Sequence, residues 1–451
     1  MDVHSEPVVR HRDARFVVAL VVSSLLAASF AIALRLGLAA ASQWLYGAPD
    51  VMRGFSSLAW PTRLAAPAIG AAIGGLVTLV GTRLPASRGV SDVMEAVVLG
   101  RGRVSFRAAM VKATASFATL LGGGSVGREG PLIQVGASLS GSVARWLGLG
   151  PVDMRLLYAS GTAAGFAAVY NTPIAATLFV VEVVVGIVAL DLVVPVAVAA
   201  AIATALSRLV LGDAPAYGVR TYALVSAPQL ASSVVLGPIG GVVAAGFMAI
   251  LSRAETLFAR LGTKTPLRAA IGGLMVGALA ILWPDVTGNG SEAIREMLDG
   301  RVLGTALLVL LVAKALATTA SVSSGAPGGV FTPSMFLGAA LGGGLASTFL
   351  EAEGAERLPV VGAFALVGMA SVVAGTTHAP LMASVLAFEM SGDYTLVVPL
   401  LVATALAMAT ARMLRPDSIY VSELARRGIT FDRSLAEHLP SRATVPPPPP
   451  S

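Results

Sequence analysis

A short polar motif interrupts an otherwise apolar part of the chain. Residues Gly127–Pro131 read GREGP and follow three glycines at Gly122–Gly124. Charged side chains are costly at membrane depth, and where they occur there they mark pathways for ions or protons. A glycine-led turn followed by proline predicts a helix N-terminus, whose unpaired N–H groups attract anions. The motif therefore predicts an anion site with a carboxylate, Glu129, beside it.

Two further segments have the same character. GGVFTP at Gly328–Pro333 is again a glycine-led turn ending in proline, and SRGVSDVMEAV at Ser87–Val97 is a polar start followed by an apolar run. Glycine allows the backbone to approach an ion closely. Selection of an anion by backbone amides would explain why the apolar part of the chain carries so few basic residues.

The composition predicts a membrane protein around these motifs. The chain has 451 residues, of which 55% are hydrophobic and 12% are charged, whereas soluble domains carry about 25% charged residues. Glycine and proline break many of the apolar runs, and broken helices at membrane depth line water or protein, as in transporters and channels. Because there are no cysteines, disulfides and cysteine-ligated metals are excluded, and we expect neither a metal nor a cofactor.

Basic residues predict the orientation and the partners. Their clusters indicate cytoplasmic loops and place both termini in the cytoplasm; they lie at Arg10–Arg15, Arg101–Arg107, Arg253–Arg268 and Arg412–Arg427. The net charge of +6 is explained by these loops, so we expect a lipid bilayer and no nucleic acid as partner. A bacterial-type inner membrane fits this pattern.

The chain contains an internal repeat. Aligning Lys112–Gly141 with Lys314–Gly343 gives eleven identical residues in thirty positions, and a second match pairs Gly161–Glu182 with Gly368–Glu389. Ordered prolines, glycines and glutamates are shared, which biased composition does not explain. We predict two structural repeats with the ion site at their interface.

This organisation gives a domain prediction. A cytoplasmic N-terminus spans residues 1–15, the first membrane repeat 16–215, the second membrane repeat 216–430, and a proline-rich disordered tail 431–451. We expect no C-terminal regulatory domain, because the residues after the last apolar helix are too few for one.

Together, these features resemble the CLC family of chloride channels and chloride/proton exchangers. The family's GREGP and GxFxP motifs are complete at Gly127–Pro131 and Gly329–Pro333, and its C-terminal anion-site tyrosine matches Tyr420 in DSIYVSEL. Its first motif, usually GSGIP, appears as SRGVS at Ser87–Ser91 and retains only the glycine and the apolar residue after it. The resemblance covers residues 16–430.

The resemblance implies an all-α polytopic membrane protein with two inverted structural repeats and broken, tilted helices. It also implies a homodimer with a separate path in each subunit for chloride or another small anion, gated by Glu129. Carried over to this chain, the anion-binding positions are Arg88, Gly89, Val90, Gly127, Arg128, Gly130, Gly329, Val330, Phe331 and Tyr420.

Several of these positions have structural alternatives. Glu129 could cap a helix, Tyr420 could be an interfacial anchor, and Phe331 could serve only in packing. Arg128 either anchors its loop or adds positive potential to a vestibule. Arg88, where the family has serine, either binds the anion or turns towards the cytoplasm.

The resemblance also leaves proton coupling open. The inner proton glutamate of the exchangers corresponds to Val183, which cannot carry a proton. Glu182 is a candidate substitute on the proton path, but the second repeat has Glu389 in the same place, which favours a structural role such as helix capping for both. We therefore expect a channel or a loosely coupled transporter; the alternative is a chloride/proton antiporter with a non-standard proton path. The preferred anion is also open, since fluoride and nitrate fit the same motifs.

An enzyme is the competing class. An intramembrane protease needs a nucleophile and a base on facing helices. Three of the four histidines lie near the chain ends, and the fourth, His378, faces Asn171 in the repeat alignment. We therefore expect no catalytic residues.

Overall fold

The computed structural model describes residues 13–81, 89–100, 104–186, 189–218, 222, 227–349, 357–426 and 428–429. Arg88 and the predicted tail at 431–451 lie outside these ranges. The described residues are almost entirely helical. The first half contains α1 (Ala14–Tyr46), α2 (Val51–Ser57), α3 (Trp60–Val80), α4 (Val90–Met94), α5 (Phe106–Leu121), α6 (Glu129–Trp146), α7 (Pro151–Tyr170), α8 (Pro173–Leu178) and α9 (Leu190–Leu211).

The second half follows in a similar order. It contains α10 (Ala227–Arg260), α11 (Thr265–Leu282), α12 (Ser291–Leu298), α13 (Thr305–Ser323), α14 (Phe331–Phe349), α15 (Arg357–Thr377), α16 (Pro380–Ser391), α17 (Val397–Leu414) and α18 (Ile419–Ala425). Short π-helical segments at Glu95–Leu99 and Phe179–Val185 continue α4 and α8, and single 3₁₀ turns lie at Pro284–Val286 and Tyr394–Leu396.

The described residues include eight helical stretches that are long and apolar enough to cross a membrane. A multi-pass membrane protein is therefore confirmed. The stretches are Ala14–Ser57, Trp60–Val80, Leu190–Leu211, Ala231–Arg260, Thr265–Leu282, Thr305–Ser323, Leu358–Thr377 and Tyr394–Ala425.

The shared glycines of the two halves are explained by helix packing. A Cβ atom on Gly136 of α6 would overlap the backbone of Gly161 on α7, and one on Gly338 of α14 would overlap the backbone of Gly368 on α15. Small residues let helix backbones approach closely inside a membrane. The repeated glycines are therefore the contact points of two equivalent helix pairs.

Another pair of equivalent residues ends two equivalent helices. Asn171 follows α7 with φ 59°, and His378 follows α15 with φ 58°. They are the two non-glycine residues in the described ranges with left-handed backbone. Each turns the chain sharply into a helix that begins at proline, Pro173 or Pro380. His378 is buried in this turn, 4% exposed.

The two halves meet at their equivalent glycines. Gly127 donates its N–H to the carbonyl oxygen of Gly329 at 2.6 Å, and Gly329 donates to that of Gly127 at 2.7 Å. This antiparallel bridge joins residues that are aligned in the sequence repeat, as expected of two inverted repeats. It brings the N-termini of α6 and α14 together.

Candidate anion pathway

A cavity of about 410 Å³ collects most of the residues that the sequence predicts to bind an anion. Its lining includes Gly89, Val90, Glu129, Gly130, Gly329, Val330, Phe331 and Tyr420. These residues come from three separate motifs and the C-terminal helix α18, so the fold brings together positions as far apart in sequence as 89 and 420. Helices α4, α6 and α14 all begin at this cavity.

Two predicted residues lie elsewhere in the structure, and a third is not among the described residues. Gly127 lies in the bridge behind the carboxylate of Glu129 and does not line this cavity. Arg128 lines a different cavity of about 400 Å³, and both of its predicted roles, loop anchor and source of positive potential, stay predictions. Arg88 lies outside the described residues.

Glu129 is buried, 2% exposed, and two hydroxyl groups hold its carboxylate. The hydroxyl of Tyr170 donates to Oε1 at 2.5 Å, and the hydroxyl of Thr332 also donates to Oε1. The same two hydroxyl oxygens are 2.9 Å apart. Oε1 is therefore bound by two donors, whereas Oε2 has no hydrogen-bond partner among the described residues.

The unbonded oxygen lies against the glycine bridge. A Cβ atom on Gly127 would overlap Oε2 of Glu129, and one on Gly329 would lie 3.4 Å from it. The carboxylate thus occupies the space between the N-termini of α6 and α14. Unpaired N–H groups and the helix dipole favour negative charge at such a place. A charged side chain and a free anion would compete for it.

Tyr170 and Thr332 are functional residues that the sequence analysis missed. Thr332 lies inside the GVFTP motif, where it is the variable position between Phe331 and Pro333. Tyr170 is the last residue of α7, directly before the left-handed Asn171. Nothing in the sequence distinguishes these two hydroxyls from the other buried hydroxyls of the same segments, such as Thr162 and Ser334.

Aromatic rings form one wall of the cavity. The ring of Phe331 packs edge-on against Phe166 at a centroid distance of 5.4 Å and against Phe179 at 6.3 Å. Phe179 in turn contacts the ring of Tyr420 edge-on at 6.3 Å. Phe331 therefore has the packing role that the sequence analysis considered, and its backbone lines the cavity as well. Its ring contacts hold the start of α14 in place.

The cavity also has a charged rim. Lys112 lines it, and a Cβ atom on Gly89 would lie 3.0 Å from the Nζ of Lys112. Glu255, Glu423 and Arg426 line it too, and Arg426 is paired with Glu255. A lysine beside the start of α4 adds positive charge next to the anion-attracting helix end. In the described ranges, no three His, Asp or Glu side chains form a metal-binding group.

The two aligned glutamates Glu182 and Glu389 lie away from this cavity and cap helices. The oxygens of Glu389 accept N–H groups of Ile174 at 3.1 Å and Ala175 at 2.7 Å. Those of Glu182 accept N–H groups of Leu381 at 3.3 Å and Met382 at 2.6 Å. Both acids therefore have the capping position that their repetition in the sequence favoured.

Comparisons with known proteins identify the family of the chain. The sequence model of the family described as voltage gated chloride channel matches residues 69–412. A ClcB-like chloride channel protein of Ralstonia nicotianae is 38% identical over 388 residues, which are 85% of this chain and 90% of the relative. The voltage-gated ClC-type chloride channel ClcB of Salmonella typhimurium is 34% identical, covering 79% of this chain and 86% of the relative.

A solved structure shares the fold. The crystal structure of a slow cyanobacterial Cl⁻/H⁺ antiporter superimposes with a TM-score of 0.81 at 23% sequence identity, over 94% of this chain and 98% of that one. The similarity confirms the predicted all-α architecture with broken helices.

Proposed function

The chain belongs to the family of voltage gated chloride channels, and we propose that it carries chloride across a membrane through a pore gated by Glu129. The observation that carries this proposal is the position of the carboxylate. It is buried between the N-termini of two helices from opposite repeats, at the end of a cavity lined by the glycine-led motifs. An anion entering that cavity meets the carboxylate at the site that suits the anion best.

The gating step follows from this competition. While charged, Glu129 is held by the hydroxyls of Tyr170 and Thr332 and excludes a free anion. Protonation removes the negative charge and with it the attraction to the helix ends. The side chain then leaves, the anion occupies its place, and flux rises as the pH falls. Gly89, Val90, Gly130, Gly329, Val330, Phe331 and Tyr420 line the approach to this position; we also assign Gly127, Arg128 and Arg88 to the anion path.

We assign the protein to the channels or loosely coupled transporters rather than to the tightly coupled exchangers. Val183, at the position of the inner proton acid, is buried and apolar, 5% exposed. Glu182 beside it is occupied with two helix N–H groups. An apolar side chain cannot carry a proton, and both oxygens of Glu182 are already bonded to backbone N–H groups.

The alternative is a chloride/proton antiporter. One observation favours it: two carboxylates, Glu255 and Glu423, line the same cavity as Glu129. Glu182 is a further candidate for the proton path. Protons could then reach Glu129 from the cavity itself. We also expect the protein to be a homodimer in a bacterial-type inner membrane, with both termini in the cytoplasm.

The experiment uses purified protein in liposomes with an imposed chloride gradient. Chloride efflux and internal pH are recorded together, with protein-free liposomes as the control. Chloride efflux without uphill proton movement supports the channel or loosely coupled assignment. If the chloride gradient drives protons uphill, the antiporter assignment holds instead. The absence of any chloride movement would contradict both assignments.

A further inference from the structure

A second cavity, of about 400 Å³, lies at the opposite end of α5 from the Glu129 cavity. Lys112 lines the first cavity and Leu120 lines the second. These residues are eight positions apart, which corresponds to about 12 Å along a helix axis. The gating scheme above uses only Arg128 from this second cavity, and it leaves the other charged residues there without a role.

Arginines dominate the charge of the second cavity. Its lining contains four arginines and two carboxylates: Arg35, Arg53, Arg128 and Arg295, with Asp50 and Glu292. Both carboxylates are already engaged. Glu292 pairs with Arg53 and with Arg295. Asp50 accepts the N–H groups of Met52 and Arg53 at the start of α2.

Two arginines are therefore left over. Arg35 and Arg128 make no hydrogen bond or ion pair with the part of the chain that the structure describes, and the Nε of Arg128 is buried without an acceptor. A buried polar group without a partner costs free energy, and a charged one costs more. Two guanidinium groups facing one cavity also repel each other. A bound anion would satisfy their donors and cancel this repulsion.

A glycine with positive φ lies before a helix at each of the two cavities. Gly290, which lines the second cavity, precedes α12 with φ +89° and ψ 5°, and Gly89, which lines the first, precedes α4 with φ +98° and ψ −135°. A lysine lies beside each glycine. A Cβ atom on Gly290 would be 3.4 Å from the Nζ of Lys314, the repeat equivalent of Lys112, but that Nζ donates to the carbonyl oxygens of Val286 and Gly288 and does not line the second cavity.

We propose that the second cavity binds a tetrahedral oxyanion dianion such as sulfate, held by Arg35 and Arg128. Guanidinium groups present planar forks of N–H donors that match oxyanions, which a spherical chloride ion cannot use in the same way. Two unpaired positive charges match the charge of a dianion. The volume of the cavity leaves room for an ion much larger than chloride.

The test measures sulfate binding directly, so it does not depend on chloride transport. The purified full-length chain in detergent, in a chloride-free buffer, is titrated with sodium sulfate in a calorimeter. Arg35→Gln and Arg128→Gln are each expected to weaken binding by about tenfold or more, since each removes a charge-assisted contact. Arg412→Gln removes an exposed arginine from the end of α17 and is expected to leave the affinity within about twofold of the unmodified chain.

Two further variants make the result decisive. Arg35→Lys keeps the positive charge but loses the planar pair of N–H donors. It is expected to bind sulfate with an affinity between those of the unmodified chain and Arg35→Gln. It also provides a folded variant if Arg35→Gln does not fold. Asp417→Asn is expected to leave sulfate affinity unchanged, because Asp417 is exposed and does not line the second cavity. No sulfate binding to the unmodified chain, or equal affinity in the Arg35, Arg128 and Arg412 variants, would overturn the proposal. Neither outcome would affect the chloride measurement described above.

Discussion

Glu182 and Glu389 each cap a helix of the opposite half of the molecule. The carboxylate of Glu182 accepts two N–H groups at the start of α16, and that of Glu389 accepts two at the start of α8. Helix N-termini leave unpaired donors that a carboxylate satisfies well. Because the two caps are reciprocal, they fasten the halves to each other at two equivalent points.

The reciprocal caps predict matched losses of stability. Glu182→Ala and Glu389→Ala should each lower the free energy of unfolding by about 0.5–2 kcal/mol, the usual cost of removing a helix cap. Thermal unfolding in detergent measures this, with Asp417→Ala at an exposed position as the control. If Glu182→Ala changed proton movement in liposomes but not stability, the proton role of Glu182 would replace the capping role.

Glu129→Gln tests the gate. The amide mimics the protonated acid, so we expect faster chloride efflux from liposomes and no remaining dependence of the rate on pH. Asp417→Asn removes one carboxylate outside the cavity and should retain the pH response of the unmodified chain. A Glu129→Gln variant with an unchanged rate and an unchanged pH profile would remove Glu129 from the gating role.

The hydroxyls that bind Glu129 should set how firmly the gate is held. Tyr170→Phe deletes the donor to Oε1, and hydrogen bonds to charged groups contribute about 1.5–3 kcal/mol. We therefore expect faster chloride efflux at neutral pH, measured in the same liposome assay. The matched control is Tyr158→Phe, also on α7, whose hydroxyl accepts from Arg145 at 3.4 Å.

A double variant separates a direct effect on the gate from a general one. When Glu129 is already glutamine, the charged acceptor is gone, so adding Tyr170→Phe should change the efflux rate little. Equal acceleration by Tyr170→Phe in both backgrounds would mean that Tyr170 acts on the pore without acting through Glu129.

The sequence predicted those parts of the site that depend on residues next to each other in the chain. A glycine-led turn before proline indicates a helix start wherever it occurs, so the motifs around Glu129 and Val330 could be found without coordinates. The repeat aligned residues that have equivalent roles in the two halves, namely Gly127 with Gly329 and Glu182 with Glu389. The family match confirms the predicted resemblance and the membrane fold.

Other features depend on distant contacts and were beyond the sequence. Tyr170 and Thr332 come from α7 and α14, and only the packing of the two halves brings their hydroxyls onto one carboxylate. The pairing of Glu292 with Arg53 likewise joins residues far apart in the chain. Without knowing which carboxylates were engaged, the sequence could not indicate that Arg35 and Arg128 face a cavity unpaired.

The two glycines of the GREGP motif provide a final test because their surroundings differ. A Cβ atom on Gly127 would overlap Oε2 of Glu129 and lie 3.2 Å from the carbonyl oxygen of Gly329, whereas one on Gly130 would meet nothing within 4 Å. We therefore expect Gly127→Ala to lower the midpoint of thermal unfolding and to speed chloride efflux by displacing the carboxylate. Gly130→Ala, in the first turn of α6, should leave the midpoint of thermal unfolding unchanged or raise it slightly, because alanine has a higher helix propensity than glycine. Equal effects of the two substitutions on stability and on efflux would show that the carboxylate does not rest on the glycine bridge.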